Sequence, residues 1–246
     1  CYARVRARLV EELGSEPGVE LRDLHRAILR GEEGAEPGRR TPPGRPDPRR
    51  HVPAPLPPDV RGFAGRGEEL ARLDAILAAA GTGPTAVVVS AVSGTAGVGK
   101  TALAVHWAHR VADRFPDGQL YIDLRGFGRD DAVVTPTEAV RELLTALGVA
   151  PKRIPAGLAA QTGLYRSLLA GKRVLIVLDN ACDADHVRPL LPGAAGCMVL
   201  VTSRTELTGL LAAECAHPLN LGLLPADDAR ELLARRLGAV RIAAEP

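Results

Sequence analysis

From residue 61 onward, short runs of aliphatic and β-branched residues alternate with stretches whose apolar positions recur every three or four residues. "TAVVVSAV" (85–92), "QLYIDL" (119–124), residues 173–178, "CMVLVT" (197–202) and a segment near 216–221 read as strands, because compact apolar runs bounded by Gly, Pro or Asp suit buried strands. Helices are expected between them, over about 100–113, from Thr135 to Gly148, near 157–170 and 184–191, and across "PADDARELLARRLG". The sharpest start signal is "TPTE": Thr135 caps, Pro136 fits the first helical position, and Glu138 completes a capping box. Val140, Leu143, Leu144 and Leu147 then supply a buried stripe, and Gly148 stops the helix. "GFAGRGEEL" (62–70) puts Gly65 and Arg66 at the foot of another helix, which carries Leu70, Leu73, Ile76 and Leu77. Strands alternating with helices imply an α/β fold, with a mostly parallel sheet of about five strands covered on both faces. Ligands of such sheets bind beyond the carboxyl ends of the strands.

The first 60 residues follow other patterns. Residues 1–31 form two short amphipathic helices, a helical hairpin with Tyr2, Val5, Leu9 and Leu13 on one stripe and Leu21, Leu24 and Ile28 on the next. Helices this short cannot bury their stripes alone, so they read as the end of a larger helical domain. The chain opens at Cys1 in mid-helix and is expected to be a piece of something longer. Residues 32–60 are crowded with Pro, Gly and Arg and lack any period, which describes a flexible, partly extended linker. The arginine pairs at 39–40 and 49–50 could meet an acidic partner, but a solvated linker is the simpler reading. The third segment, residues 61–246, holds the alternating pattern.

Composition narrows the function little. The chain is 46% hydrophobic and 24% charged, an ordinary balance for a globular protein, and its net charge of +2 makes no argument for nucleic acid by itself. Lys100, Lys152 and Lys172 are its lysines, so nearly all the positive charge is arginine and a given Arg says little about phosphate. Cys1, Cys182, Cys197 and Cys215 show no metal-binding spacing and read as buried free thiols. His106 and His109 stand three apart with no third ligand near, so metal binding there is not expected. No apolar run reaches the length of about 18 residues that a spanning helix needs, so no membrane partner is expected.

The chemistry gathers in three motifs. "GTAGVGKT" fits the phosphate-loop pattern at every position, and it falls between an expected strand and an expected helix. Gly94, Thr95, Ala96, Gly97, Val98 and Gly99 would wrap backbone N–H groups around a phosphate, with Ala102 in the helix that follows. That helix directs its positive end at the same anion. Lys100 would reach the β- and γ-phosphates, and Thr101 would ligate Mg2+. "VLIVLDNA" (174–181) ends a buried strand in Asp179, a second Mg2+ ligand on the same sheet edge, followed by Asn180. "LVTSR" (200–204) sets Arg204 just past another strand, where its guanidinium could sense the terminal phosphate. No guanine-reading motif follows, which favours adenine, as ATP or ADP.

These segments together resemble the NB-ARC domain of the STAND-class signalling ATPases, and among them the actinobacterial regulators of the AfsR/SARP family. The resemblance rests on "FAGRGEELARL", "SGTAGVGKTALAVHWAHRVADRFPDGQLYIDLRGF", "RSLLAGKRVLIVLDNACDADHVRPLLPG", "VLVTSR" and "PLNLGLLPADDARELLARRLG". It implies a P-loop NTPase three-layer sandwich over residues 61–246, truncated at its C-terminal end, with residues 1–31 closing a bacterial transcriptional activation domain. It further implies that Asp179 is the Walker B acid and that Arg204 senses the γ-phosphate from a strand between the Walker A and Walker B strands. Gly65 and Arg66 would lie near adenine and ribose. A cytoplasmic transcriptional regulator would follow, binding DNA through an upstream winged-helix domain outside this chain and able to self-associate. Asn180 stands where many STAND proteins carry a second acid; an amide can position water but cannot serve as a base. The expectation is therefore an ATP/ADP-binding switch with slow or absent hydrolysis. A working ATPase and a scaffold with a purely structural nucleotide remain the alternatives.

Overall fold

In the computed structural model, residues 52–80, 88–127, 133–238 and 241–242 are described. The two helices expected over residues 1–31 and most of the expected linker lie outside the described residues. The elements are α1 (Gly67–Ala80), β1 (Val88–Ser93), α2 (Lys100–Arg110), β2 (Gln119–Asp123), α3 (Pro136–Ala146), α4 (Leu158–Leu169), β3 (Leu175–Ala181), α5 (Ala184–Val187), β4 (Met198–Ser203), α6 (Thr208–Ala213), β5 (His217–Asn220) and α7 (Ala226–Leu237). The expected alternation is present throughout. Thr135 and Glu138 make the reciprocal capping box with Pro136 in the first turn, and Gly148 takes a left-handed φ of 87° beyond the helix end.

The five strands run parallel in the order β2–β3–β4–β1–β5. Their period of two divides the core into two layers. Leu175 and Val177 of β3 pack with Leu70 and Leu73 of α1 and with Leu103 and Trp107 of α2. Ile176 and Leu178 turn to the other face, against Val140, Leu143 and Leu144 of α3 and Tyr165 and Leu169 of α4. Burying both faces is what makes β3 and β4 read as unbroken apolar runs. Trp107 is fully buried and donates its indole N–H to Asp74 at 2.8 Å, which satisfies the polar end of a large core side chain.

Three details depart from the sequence reading. Asp179 does not end its strand, because β3 continues to Ala181. Pairing with β4 breaks after Leu178 and resumes at Ala181 opposite Ser203, with Asn180 between them at a left-handed φ of 57°. Such a bulge bends the strand locally and redirects its side chains beside the site. Residues 52–60, expected within the flexible linker, are held against the domain. Gln119 N donates to Pro53 O at 2.8 Å, His109 Nε2 meets Pro57 O at 2.8 Å, and His106 Nδ1 lies 3.0 Å from Asp59. The two histidines therefore fasten this segment, with Phe63 stacked on His106. No cluster of three metal-ligating residues occurs among the described residues. Of the described cysteines, all free, only Cys197 is buried; Cys215 is exposed and Cys182 half-buried.

Candidate functional site

The chain turns from β1 into α2 through a loop that only glycine permits. Gly94 has φ 150°, and a Cβ there would stand 2.6 Å from the Leu221 carbonyl oxygen. Gly99, at φ 99°, directly precedes the first helical residue, Lys100. The exposed stretch Thr95–Gly97 and the half-buried Gly94, Val98 and Gly99 thus curve over the start of α2, with Ala102 in its first turn. Lys100 is buried, and its ammonium donates to Gly94 O and Thr95 O, both at 2.8 Å. Burial lowers its pKa, the nearby Arg204 guanidinium lowers it further, and Asp179 opposes both. An anion in the loop would relieve that penalty.

Asp179 sits across from the loop, essentially without solvent exposure, in a shell of hydroxyls. Thr101 Oγ1 donates to it, 2.9 Å from both carboxylate oxygens. Thr202 of β4 donates to Oδ1, and the Tyr121 phenol of β2 donates to Oδ2 at 3.2 Å. Burial and the Asp179 and Asp123 charges together push the Tyr121 pKa up, so the phenol keeps its proton for this bond. A carboxylate and a threonine hydroxyl form the hard-oxygen set that Mg2+ prefers. Gly94 through Thr101 and Asp179 therefore fit a Mg2+-nucleotide in their donor chemistry.

Asn180 N donates to Thr202 Oγ1 at 3.0 Å. Its side-chain amide Nδ2 donates to Asp123 Oδ1 at 2.9 Å and to Asp179 Oδ2 at 3.3 Å. The water-positioning amide expected from sequence is thus engaged with two carboxylates. Arg204 lies one residue past β4, exposed, with its guanidinium 4.9 Å from the centre of the Phe127 ring. β4 does lie between β1 and β3, as expected for the strand that carries this arginine.

Gly65 and Arg66 lie beside the loop, and their contacts are with the protein itself. Arg66 is buried and donates to Val98 O (3.1 Å) in the phosphate loop, to Gly222 O (2.6 Å) after β5, and to Glu69 (2.9 Å). Its guanidinium is committed to protein acceptors, which makes it a clamp on the loop. Gly65 packs on Asp228 of α7, where a Cβ would come within 2.5 Å of the carboxylate. Sequence reasoning passed over Tyr121, Asp123, Thr202 and Phe127. The period of two in "QLYID" already put Tyr121 and Asp123 on one face, and the β2–β3 register sets Asp123 opposite Asp179.

Residues 71–241 match the NB-ARC domain family, and residues 1–29 match the bacterial transcriptional activator domain. The chain is 45% identical over 244 residues to the regulatory protein AfsR of Streptomyces griseus, covering 99% of this chain and 24% of that protein. It is 42% identical over 249 residues to AfsR of Streptomyces coelicolor, again over 99% of this chain and 24% of the relative. The chain therefore spans about a quarter of the length of these relatives. Among solved structures, the Aeropyrum pernix ORC1 protein in complex with DNA superposes with a TM-score of 0.52 at 22% identity, over 73% of this chain and 50% of that one. That likeness is one of fold.

Proposed function

The chain belongs to the NB-ARC domain family, and on that premise we propose that it is the ATP/ADP-binding switch of an AfsR-type transcriptional regulator. The observation that carries this reading is the meeting, on one sheet edge, of a glycine-built loop closed over the buried Lys100 with the hydroxyl-wrapped Asp179. Backbone N–H groups of residues 94–101 bind the phosphates, with the amino end of α2 adding its partial charge. Lys100 exchanges its two carbonyl partners for phosphate oxygens. Thr101 and Asp179 hold Mg2+, which when bound neutralises charge between the phosphates. Arg204 reaches for the terminal phosphate, and Gly65 and Arg66 border the nucleoside side.

Hydrolysis is slow in this reading, because Asn180 offers no base and its amide nitrogen is engaged by Asp123 and Asp179. One observation favours a working ATPase instead: Asp123 brings an exposed carboxylate to the same edge from the neighbouring strand. Nucleotide state biases the DNA-binding parts of the cytoplasmic regulator, or its self-association, to the extent that it binds their two arrangements unequally. No helix among the described residues is long and apolar enough to cross a membrane. The test is mass spectrometry of the nucleotide retained on purification, followed by single-turnover hydrolysis with Mg-ATP. Exchangeable ADP and ATP with slow turnover supports the switch; a permanently retained nucleotide that does not exchange supports the scaffold; turnover of many per second supports the ATPase, and no nucleotide binding at all removes all three.

A further inference from the structure

Phe127 lies outside the phosphate cradle, yet its ring holds the side chain read above as the sensor of the terminal phosphate. Arg204 is exposed and stands beyond its strand, so its long side chain can swing between partners. The ring reaches it because the turn 123–127 is laid across the carboxyl end of β3. Leu124 N donates to Asp179 O and Gly126 N donates to Asn180 O, both at 2.8 Å. The Asn180 side chain adds a third tie, to Asp123. The approach is close enough to require glycine: a Cβ on Gly126 would stand 2.5 Å from the Cys182 nitrogen and 2.6 Å from the Asn180 oxygen. The turn is therefore fixed to the corner that carries Asp179, with Phe127 aimed past it at Arg204.

We propose that Phe127 sets the discrimination between nucleoside triphosphate and diphosphate by competing for Arg204. This rests on the reading of Arg204 as the terminal-phosphate sensor. A diphosphate leaves the guanidinium on the ring and gains nothing from it. A triphosphate draws the guanidinium off the ring into charge-assisted hydrogen bonds, which are stronger than an exposed cation–π contact. The net preference for triphosphate is then the phosphate contact minus the ring contact. Phe127 thereby trims the affinity for triphosphate alone. A ligand shifts an equilibrium only by its unequal affinity for the two arrangements, and release of the ring is one such inequality.

Calorimetric titration of the 246-residue chain with ADP and with a non-hydrolysable ATP analogue, at saturating Mg2+, tests this directly. Phe127→Leu keeps the apolar bulk but removes the ring face, and should tighten the analogue about two- to five-fold with ADP unchanged. Phe127→Trp presents a better ring face and should weaken the analogue, again with ADP unchanged. Arg204→Ala should weaken the analogue selectively. If Arg204→Ala leaves the ratio of the two affinities untouched, the sensor reading itself falls, and this inference with it. If Arg204→Ala changes the ratio while Phe127→Leu does not, the sensor stands and the role of Phe127 is overturned. A Trp variant that tightens the analogue, or a Leu variant that shifts both ligands equally, also overturns it.

Discussion

Removing the Arg66 side chain should loosen the phosphate loop without touching a phosphate contact. The side chain is 6% exposed, and its guanidinium bridges Val98 O, Gly222 O and Glu69. Arg66→Ala would leave two carbonyls without their charged donor, at about 1.5 kcal/mol each, the low end for hydrogen bonds to a charged group. Glu69 is 21% exposed and can rehydrate, so it adds little. The expected loss is about 3 kcal/mol. For a domain of this size that lowers the melting temperature by roughly 6–12 °C. Arg66 also holds a left-handed φ of 61°, which Ala tolerates no better. Arg66→Gly should therefore lose about 1 kcal/mol less than Arg66→Ala, since glycine adopts that conformation freely. Calorimetric melting of both variants, with ADP titrations beside it, is the assay. Nucleotide affinity should fall along with stability, because Val98 belongs to the loop and its order must be restored on binding. An Arg66→Ala variant melting within 2 °C of wild type (under about 1 kcal/mol by the same conversion) and binding ADP equally well would refute the clamp.

Asn180→Asp replaces an amide donor with a third carboxylate facing Asp123 and Asp179, so it should destabilise the fold by about 1–3 kcal/mol, measured by urea denaturation and relieved by salt. The ordinary Lys100 pKa of 10.5 is lowered by burial beneath the loop, whereas a bound phosphate would raise it. ADP binding should thus take up a proton, and weaken, as pH rises through the lowered value; titrations in buffers of different ionisation heat would detect this. In the same window, between the lowered value and 10.5, the unfolded chain holds more protons than the folded one. Stability measured without added nucleotide should therefore rise with pH there. Thr135→Ala removes the capping hydroxyl of α3 and should cost about 1 kcal/mol in a denaturation series.

The sheet, its helices and the phosphate loop were legible because each is written locally. Apolar periods of two and 3.6 separate strand from helix, and a glycine-rich loop before Lys100 has few other uses. The capping box at Thr135 was visible because its three signals sit within four residues. The environment of Asp179 was not legible in the same way. Tyr121 and Thr202 stand 58 and 23 residues from Asp179 in the chain, and only the β2–β3 and β3–β4 registers bring them to its carboxylate. The bulge at Asn180 has no sequence mark, since asparagine at a positive φ is set by the break in strand pairing. The part Arg66 plays in holding the phosphate loop was not legible either. Its bonds to Val98 and Gly222 span 32 and 156 residues, distances over which pattern reading is blind.

Thermal melting of the 246-residue chain with and without Mg-ATP tests the nucleotide site most directly, in wild type and in Lys100→Ala. In the proposed function, the loop, the amino end of α2 and Asp179 make one anion and metal site only in the folded state. At a hundredfold excess over the dissociation constant, the ligand should stabilise wild type by about 2.7 kcal/mol. That corresponds to a rise in melting temperature of roughly 5–10 °C. Lys100→Ala should lose most of the rise, because the phosphates lose their matched ammonium. A wild type that does not respond, or a Lys100→Ala variant whose rise equals that of wild type, would contradict the account.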